Sequence, residues 1–251
     1  MDRIIYTAMA GAKQTMDQQA VVSNNLANVS TSGFRAQLSA MRAVPVQGAG
    51  PVDTRTSVVA STPGADLNPG PIIQTGRDLD VALKDTAWLA IRDDAGAEAY
   101  TRRGDLQVDS TGLLLSGGRP VLGDGGPIVV PLGAQVFMGV DGTLSAIGEG
   151  EDPDALVEVG RLKLVTPAEQ ALLRGEDGLF RLPPGEDGAP MSLAADENAR
   201  LVPGVLEGSN VSAIDSMVAM IDNARRYDMQ LKVIETASEN AQRANSLLSL
   251  S

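Results

Sequence analysis

The chain has 251 residues, 43% of them hydrophobic, enough for one large domain or two smaller ones. Its 32 acidic against 20 basic residues give a net charge of -12, so its average field repels phosphate backbones and anionic lipid, and neither nucleic acid nor a membrane surface is an expected partner. With no cysteine and no histidine, disulfides, thiolate nucleophiles, Ser-His catalysis and zinc-type hydrolysis are excluded, and no catalytic residue, metal site or cofactor is expected.

The chain opens Met1-Asp2-Arg3-Ile4-Ile5-Tyr6, without a basic region leading into an apolar stretch, so a cleaved secretion signal is not expected. No apolar run reaches the roughly 18 residues that would suggest insertion into a bilayer. Residues 1 to 28 contain no Pro and a single Gly, Gly11. Ile5, Met9, Ala12, Met16 and Leu26 follow helical spacing, while Gln19 and Ser23 interrupt the stripe; this predicts an amphipathic helix roughly 40 Å long. Asn28, Ser30, Thr31, Ser32 and Gly33 form a stop, with Gly33 free to take positive φ.

Residues 36 to 75 carry Pro45, Pro51, Pro63, Pro69 and Pro71 and read as an extended linker. Beyond them, short β-prone runs at 80–83, 88–91, 106–108, 128–130, 157–165 and 179–182 predict an antiparallel β domain. Asp141-Gly142 marks a tight hairpin between 135–140 and 143–147, and Asp177-Gly178 and Asp187-Gly188 repeat the turn signal. Trp88, the one tryptophan, is expected in the core.

From Ser212 the chain again lacks Gly and Pro. Met217, Met220, Ala224, Tyr227, Leu231, Ile234, Ser238, Ala241, Asn245 and Leu248 alternate steps of three and four, a heptad-like seam on a helix over roughly 50 Å long. Ser212 with Asp215 resembles a capping box. A helix with an apolar seam is unstable alone in water, so each end needs a partner, in the same chain or in another. The two seams differ in length and are rich in Ala, Ser and Met, which favours contacts with other subunits. The fold class is therefore read as mixed α and β. Long N- and C-terminal α-helices form a coiled-coil-like assembly domain around a mainly antiparallel β middle domain. The divisions fall at 1–35, 36–75, 76–205 and 206–251.

Candidate chemistry in the middle is weak. Glu149, Glu151, Asp152 and Asp154 lack the spacing of a calcium loop and read as a solvated surface. Asp93-Asp94 and Glu186-Asp187 would serve glycan chemistry only if a cleft set their separation, and read as turn residues. Gly123-Asp124-Gly125-Gly126 precedes Pro127 and a β-prone run where a phosphate loop would open a helix. Asn210-Val211-Ser212 fits a glycosylation pattern by chance.

Three segments carry a resemblance. Asn24-Asn25-Leu26-Ala27-Asn28-Val29-Ser30-Thr31-Ser32-Gly33-Phe34-Arg35 resembles the N-terminal signature of the flagellar rod, hook and hook-associated proteins. Gly204-Val205-Leu206-Glu207-Gly208-Ser209-Asn210-Val211, leading into Met217, Met220, Arg225 and Tyr227, is similar to that family's C-terminal segment. In the middle, 79–83, 88–91 and 100–106 resemble its β core. Two positions depart from the pattern: Gly208, and Asp105 where the family often has an aromatic.

The opening nine residues and the short length look most like a proximal-rod subunit, with distal-rod and hook subunits the nearest alternatives. The resemblance implies a structural subunit exported through the flagellar type III apparatus without signal cleavage and added to the rod in the periplasm. Its partners would be other copies of itself, other rod subunits and the export apparatus. The assembly interface would comprise Ile5, Met9, Ala12, Met16, Asn24, Asn25, Leu26, Asn28, Gly33, Phe34, Asn210, Met217, Met220, Ala224, Tyr227, Leu231, Ile234, Ala241 and Leu248. Asn24 and Asn28, four apart, would bond across a helix interface, and Phe34 would anchor against a neighbour. The readings from other classes are a periplasmic binding module with a private coiled coil and a carboxylate enzyme acting on cell-wall glycan.

Overall fold

The computed structural model describes residues 2–45, 56–148, 150, 156–167, 172–185 and 187–248. The chain divides into two compact units: one from 1–29, 36–66 and 211–251, the other from 30–35 and 67–210. Both are discontinuous in sequence, and the chain passes between them four times.

The first unit holds two helices, α1 (Asp2–Ala27) and α2 (Ala213–Leu248). Ser212 caps α2: its hydroxyl accepts the Asp215 amide at 3.3 Å, and Asp215 places a negative charge in the first turn, where the helix dipole favours it. α1 ends where the Asn28 amide N–H reaches the Asn24 and Asn25 carbonyls at 3.2 and 3.1 Å. Ile4 of α1 shares a hollow with Met229, Val233 and Ala237 of α2, and Gly11 abuts Gln230, so the helices run antiparallel.

The fold class read from the sequence is corrected here. The helices do not form a coiled-coil-like domain by themselves around a β middle, because β structure belongs to both units and the helices already pair within the chain. Strands Gln37–Pro45 and Thr56–Ala65, inside the stretch read as a linker, make an antiparallel hairpin in the helical unit. Its register slips between Leu38 and Ala40, opposite a strand carrying Pro63, which has no N–H to give to the ladder. The Asn25 side chain fixes the hairpin's start: its amide donates to the Gln37 carbonyl at 3.0 Å and accepts the Gln37 N–H at 2.8 Å. The prolines misled because Pro at a strand end or bulge is compatible with a ladder.

The second unit is built of short antiparallel strands. A five-stranded sheet runs in the order Leu164–Val165, Trp88–Arg92, Glu98–Thr101, Phe180–Arg181, Leu173–Arg174. Two three-stranded sheets comprise Gln135–Met138 with Thr143–Ile147 and Val157–Arg161, and Leu106–Val108 with Leu114–Ser116 and Arg119–Pro120. Val81–Leu83 pairs with Leu201–Pro203, and Ile72–Gln74 with Val205–Glu207. The run 128–130 forms only an isolated bridge through Val129 to Leu113. At Asp141-Gly142 the hairpin turns with Gly142 at φ 86°, and Asp141 accepts from the Thr143 amide and hydroxyl.

The core of this unit includes Val81, Leu89, Ile91, Leu106, Leu114, Leu144 and Leu201. Trp88 is buried against Phe180, ring centroids 4.6 Å apart. Tyr100 ties the irregular stretch after Arg181 to the sheet: its hydroxyl donates to Glu98 at 2.8 Å and accepts the Leu193 N–H at 2.7 Å. Burial and the Glu98 carboxylate push its phenol well above the ordinary range. Leu144, wholly buried, tests this core: Leu144→Ala should lower the urea midpoint by the equivalent of about 2–5 kcal/mol with little change in slope, followed by Trp88 fluorescence.

Candidate assembly interface

The signature segment 30–35 belongs to the β unit, although the residues on either side of it belong to the helical one. What holds it is Glu207, the last residue of its strand and 1% exposed. One carboxylate oxygen faces Arg35 Nη1 at 2.5 Å and accepts the Gly70 N–H at 3.0 Å. The other accepts from Arg102 Nε at 2.7 Å and pairs with its Nη2 at 2.7 Å. The Glu207 carbonyl takes the Gly33 N–H at 2.7 Å.

Arg102 completes its bonding through the carbonyls of Leu83, Asp85 and Ala87 at 2.6 to 2.8 Å. Burial pulls its guanidinium below the ordinary range, with Glu207 working in the opposite direction. Arg35 and Arg102 are themselves buried, so the cluster has no solvent to fall back on if the carboxylate is lost.

Gly33 is fixed twice over. It sits at φ 65°, and a Cβ there would run into the Arg102 carbonyl. Ser32 donates to Asp105 Oδ1 at 2.6 Å, and Arg103 grips the same carboxylate in a bidentate pair at 2.7 Å. Asp105, the departure from the family pattern, thus secures the signature. Burial raises its pKa, but Arg103 and Ser32 outweigh that and hold it below the usual carboxylate range. Phe34 is half-buried beneath the Arg174 guanidinium at 5.2 Å, and its carbonyl accepts the Asn210 N–H at 3.3 Å. The Asn210 side chain bonds the Asn68 carbonyl at 2.9 Å. The other departure, Gly208, gives its N–H to Pro71 at 2.7 Å.

In the helical unit, Asn28 turns its amide back to the Asn24 carbonyl of its own helix at 2.8 Å, while Asn24 is exposed and Asn25 is engaged with the hairpin. The helix seam is made of small and polar groups. Ala8, Ala12 and Thr15 of α1 and Asn223 and Ala237 of α2 are the buried residues. Ile5, Leu26, Met220, Tyr227, Ile234 and Ala241 are partly buried along these faces. Gln18 Oε1, Gln19 Oε1 and Asn223 Nδ2 are buried without a hydrogen-bond partner among the described residues, each at a cost of about 1–3 kcal/mol.

The large apolar side chains point elsewhere. Met9, Met16, Met217 and Leu231 are exposed, with Ala224, and so are Ile214, Val218 and Ile221; Ile214 is 73% exposed and Met16 59%. Leu248 closes α2. A hollow of about 470 Å³ on the helix pair is lined by Ile4, Met229, Val233 and Ala237 with Lys232 and Thr236.

The carboxylates weighed for glycan chemistry are engaged in ion pairs and turns where the structure describes them. Asp93 pairs with Arg181 at 2.8 Å and accepts the Ala95 and Ala97 amides, while Asp94 faces Arg119 at 3.2 Å. Asp187 is an exposed turn residue. Glu149, Glu151, Asp152, Asp154 and Glu186 lie outside the described residues. Gly123 and Gly126 pair across a two-stranded hairpin. No helix is long and apolar enough to cross a membrane, among the described residues. Sequence reading missed Glu207, Arg102 and Arg35 as a structural set. The available signal was a complementary charge in each of the three resembling segments, but no local spacing connects residues 105 apart.

The family described as Flagella basal body rod protein matches residues 5–35, and Flagellar basal body rod FlgEFG protein C-terminal matches 202–247. Over the full length of both chains, identity is 54% to the flagellar basal-body rod protein FlgF of Salmonella typhimurium and 53% to that of Escherichia coli. It is 30% to the flagellar basal-body rod protein FlgG of Bacillus subtilis, over 95% of this chain and 96% of that one. The chain belongs to the flagellar basal-body rod proteins and, within them, to the FlgF family. It is a structural component of the bacterial flagellar basal-body rod.

Glu207→Gln should cost about 3–5 kcal/mol in urea unfolding, because two buried guanidiniums lose their counter-charge, while exposed Glu158→Gln should stay within about 0.5 kcal/mol. Asp105, with a lowered folded pKa, contributes stability that is fully present above its unfolded value near 3.9 and lost as pH falls through the folded value. Stability measured from pH 7 down to pH ~2 should therefore drop less steeply at the acid end in Asp105→Asn than in the parent.

Proposed function

We propose that this chain is a building block of the proximal rod whose helical unit joins neighbouring subunits through the apolar face left outward by α1 and α2. The single observation that carries this reading is the inversion of size across the helix pair. Alanine, threonine and asparagine fill the seam, while Ile214, Met217, Val218, Ile221, Met9 and Met16 remain exposed. A fully buried Met or Ile side chain contributes about 1.5–3 kcal/mol, so the larger share of burial is available only to a neighbour. A stable assembly needs over about 1,000 Å² of buried surface per contact, which helices of 26 and 36 residues can provide.

On this reading the partners are other copies and other rod subunits, and the action is mechanical, with torque carried across many interfaces and no catalysis. Export unfolded through the flagellar type III apparatus without signal cleavage, followed by addition in the periplasm, belongs to the same proposal. It is supported by the membership in the FlgF family. Identity of 54% to an FlgF against 30% to an FlgG favours the proximal over the distal reading. Met217→Asp with Ile221→Asp should abolish swimming in cells that lack the natural gene, while the purified variant keeps its urea midpoint. Normal swimming would overturn the interface.

A further inference from the structure

The net charge is divided unequally between the two units. The β unit holds 23 of the 32 acidic and 12 of the 20 basic residues, a net -11; the helical unit keeps 9 and 8, a net -1. Internal pairing does not quench the difference. Asp78, Asp124, Glu158, Glu176, Asp187 and Glu197 are exposed and form no ion pair among the described residues. Two of the unit's arginines, Arg35 and Arg102, are buried around Glu207, and this cluster of net +1 is already counted in the -11.

The exposed apolar side chains Ile214, Met217, Val218 and Ile221 belong to the near-neutral unit. Two copies that meet through them gain apolar burial, but each brings a β unit of -11 toward the other. Burial of this kind is insensitive to screening, whereas repulsion between charged bodies reaches about 30 Å at 0.01 M salt and about 3 Å at 1 M.

We infer that the β unit is an electrostatic brake on self-association: copies of this chain stay apart at low ionic strength and join through their helical faces once the β-unit charge is screened or removed. The inference rests on the assembly reading above. It gives the charge partition a role that neither fold nor solubility demands, since net charge for solubility alone could lie on either unit.

The test is sedimentation equilibrium of the purified full chain in about 20 mM and about 0.5 M sodium chloride. Three proteins are compared: the parent, a variant with Asp78→Asn, Asp124→Asn, Glu158→Gln, Glu176→Gln, Asp187→Asn and Glu197→Gln, and Met217→Asp with Ile221→Asp. The parent's association constant should rise at least about tenfold with salt. The neutralised variant should associate at low salt as the parent does at high salt, and depend little on salt, which separates screening from salting-out. A parent indifferent to salt, or a neutralised variant that matches the parent at low salt, overturns the brake. Absence of association by both proteins in either salt overturns it too. Association of the Met217→Asp, Ile221→Asp protein at parental strength instead overturns the helical interface, whichever way salt acts.

Discussion

Two helices of 26 and 36 residues stay folded only if their apolar faces are covered, and within this chain the cover is thin. Ala8, Ala12 and Ala237 offer little area to bury, and Thr15 spends its hydroxyl on the Gly11 carbonyl at 3.0 Å. Gln19 Oε1 and Asn223 Nδ2 are buried polar atoms that find no partner among the described residues. Small side chains allow close approach of two backbones but supply little transfer free energy. The helix pair is therefore closed enough to exist and poor enough to be improved by a neighbour. On the assembly proposal, the outward Met and Ile side chains, conspicuous on a protein surface, are the means of improvement.

The β unit is stabilised differently. Its apolar core is continuous across several small sheets, and the signature segment is fastened to it by one buried carboxylate between two buried guanidiniums. Such a cluster is a poor source of net stability compared with well-packed hydrophobic groups, but it is intolerant of losing a member. It also joins the three resembling stretches, since Arg35, Arg102 and Glu207 come one from each. Residues 30–35 are thus placed by chemistry distant in sequence, which accounts for a rigid requirement for Gly33 where Arg102 passes.

Much of this was legible in the sequence, for definable reasons. Helix ends carry local chemistry, so Ser212 and the Asn28 to Gly33 stop located α1 and α2 closely. Turn chemistry is equally local, and Asp141-Gly142 lies where the chain turns. The hairpin at 37–65 was illegible because proline was weighed as a breaker, while its pairing partner lies across residues of no pattern. The heptad seam showed an apolar face on α2 but could not say which side the chain itself would cover. Met220, Tyr227, Ile234 and Ala241 lie partly buried, whereas Met217, Ala224 and Leu231, half a heptad away, are exposed. Periodicity reports a stripe, and the stripe is wider than one partner. Glu207 was invisible as an anchor because nothing local distinguishes a glutamate that will meet two arginines from one that will meet water.

The account turns on the helix pair being weaker than the β core in the free subunit, and amide hydrogen exchange reads this residue by residue. In the unassembled protein, amides along α1 from Ala8 to Val22 and along α2 from Ile214 to Ala237 should exchange at least about a hundredfold faster than those of Leu89, Ile91 and Leu144, reflecting local opening well below the global unfolding free energy. Protection of both helices as strong as that of the β core would mean that the chain already satisfies them, and would contradict the account.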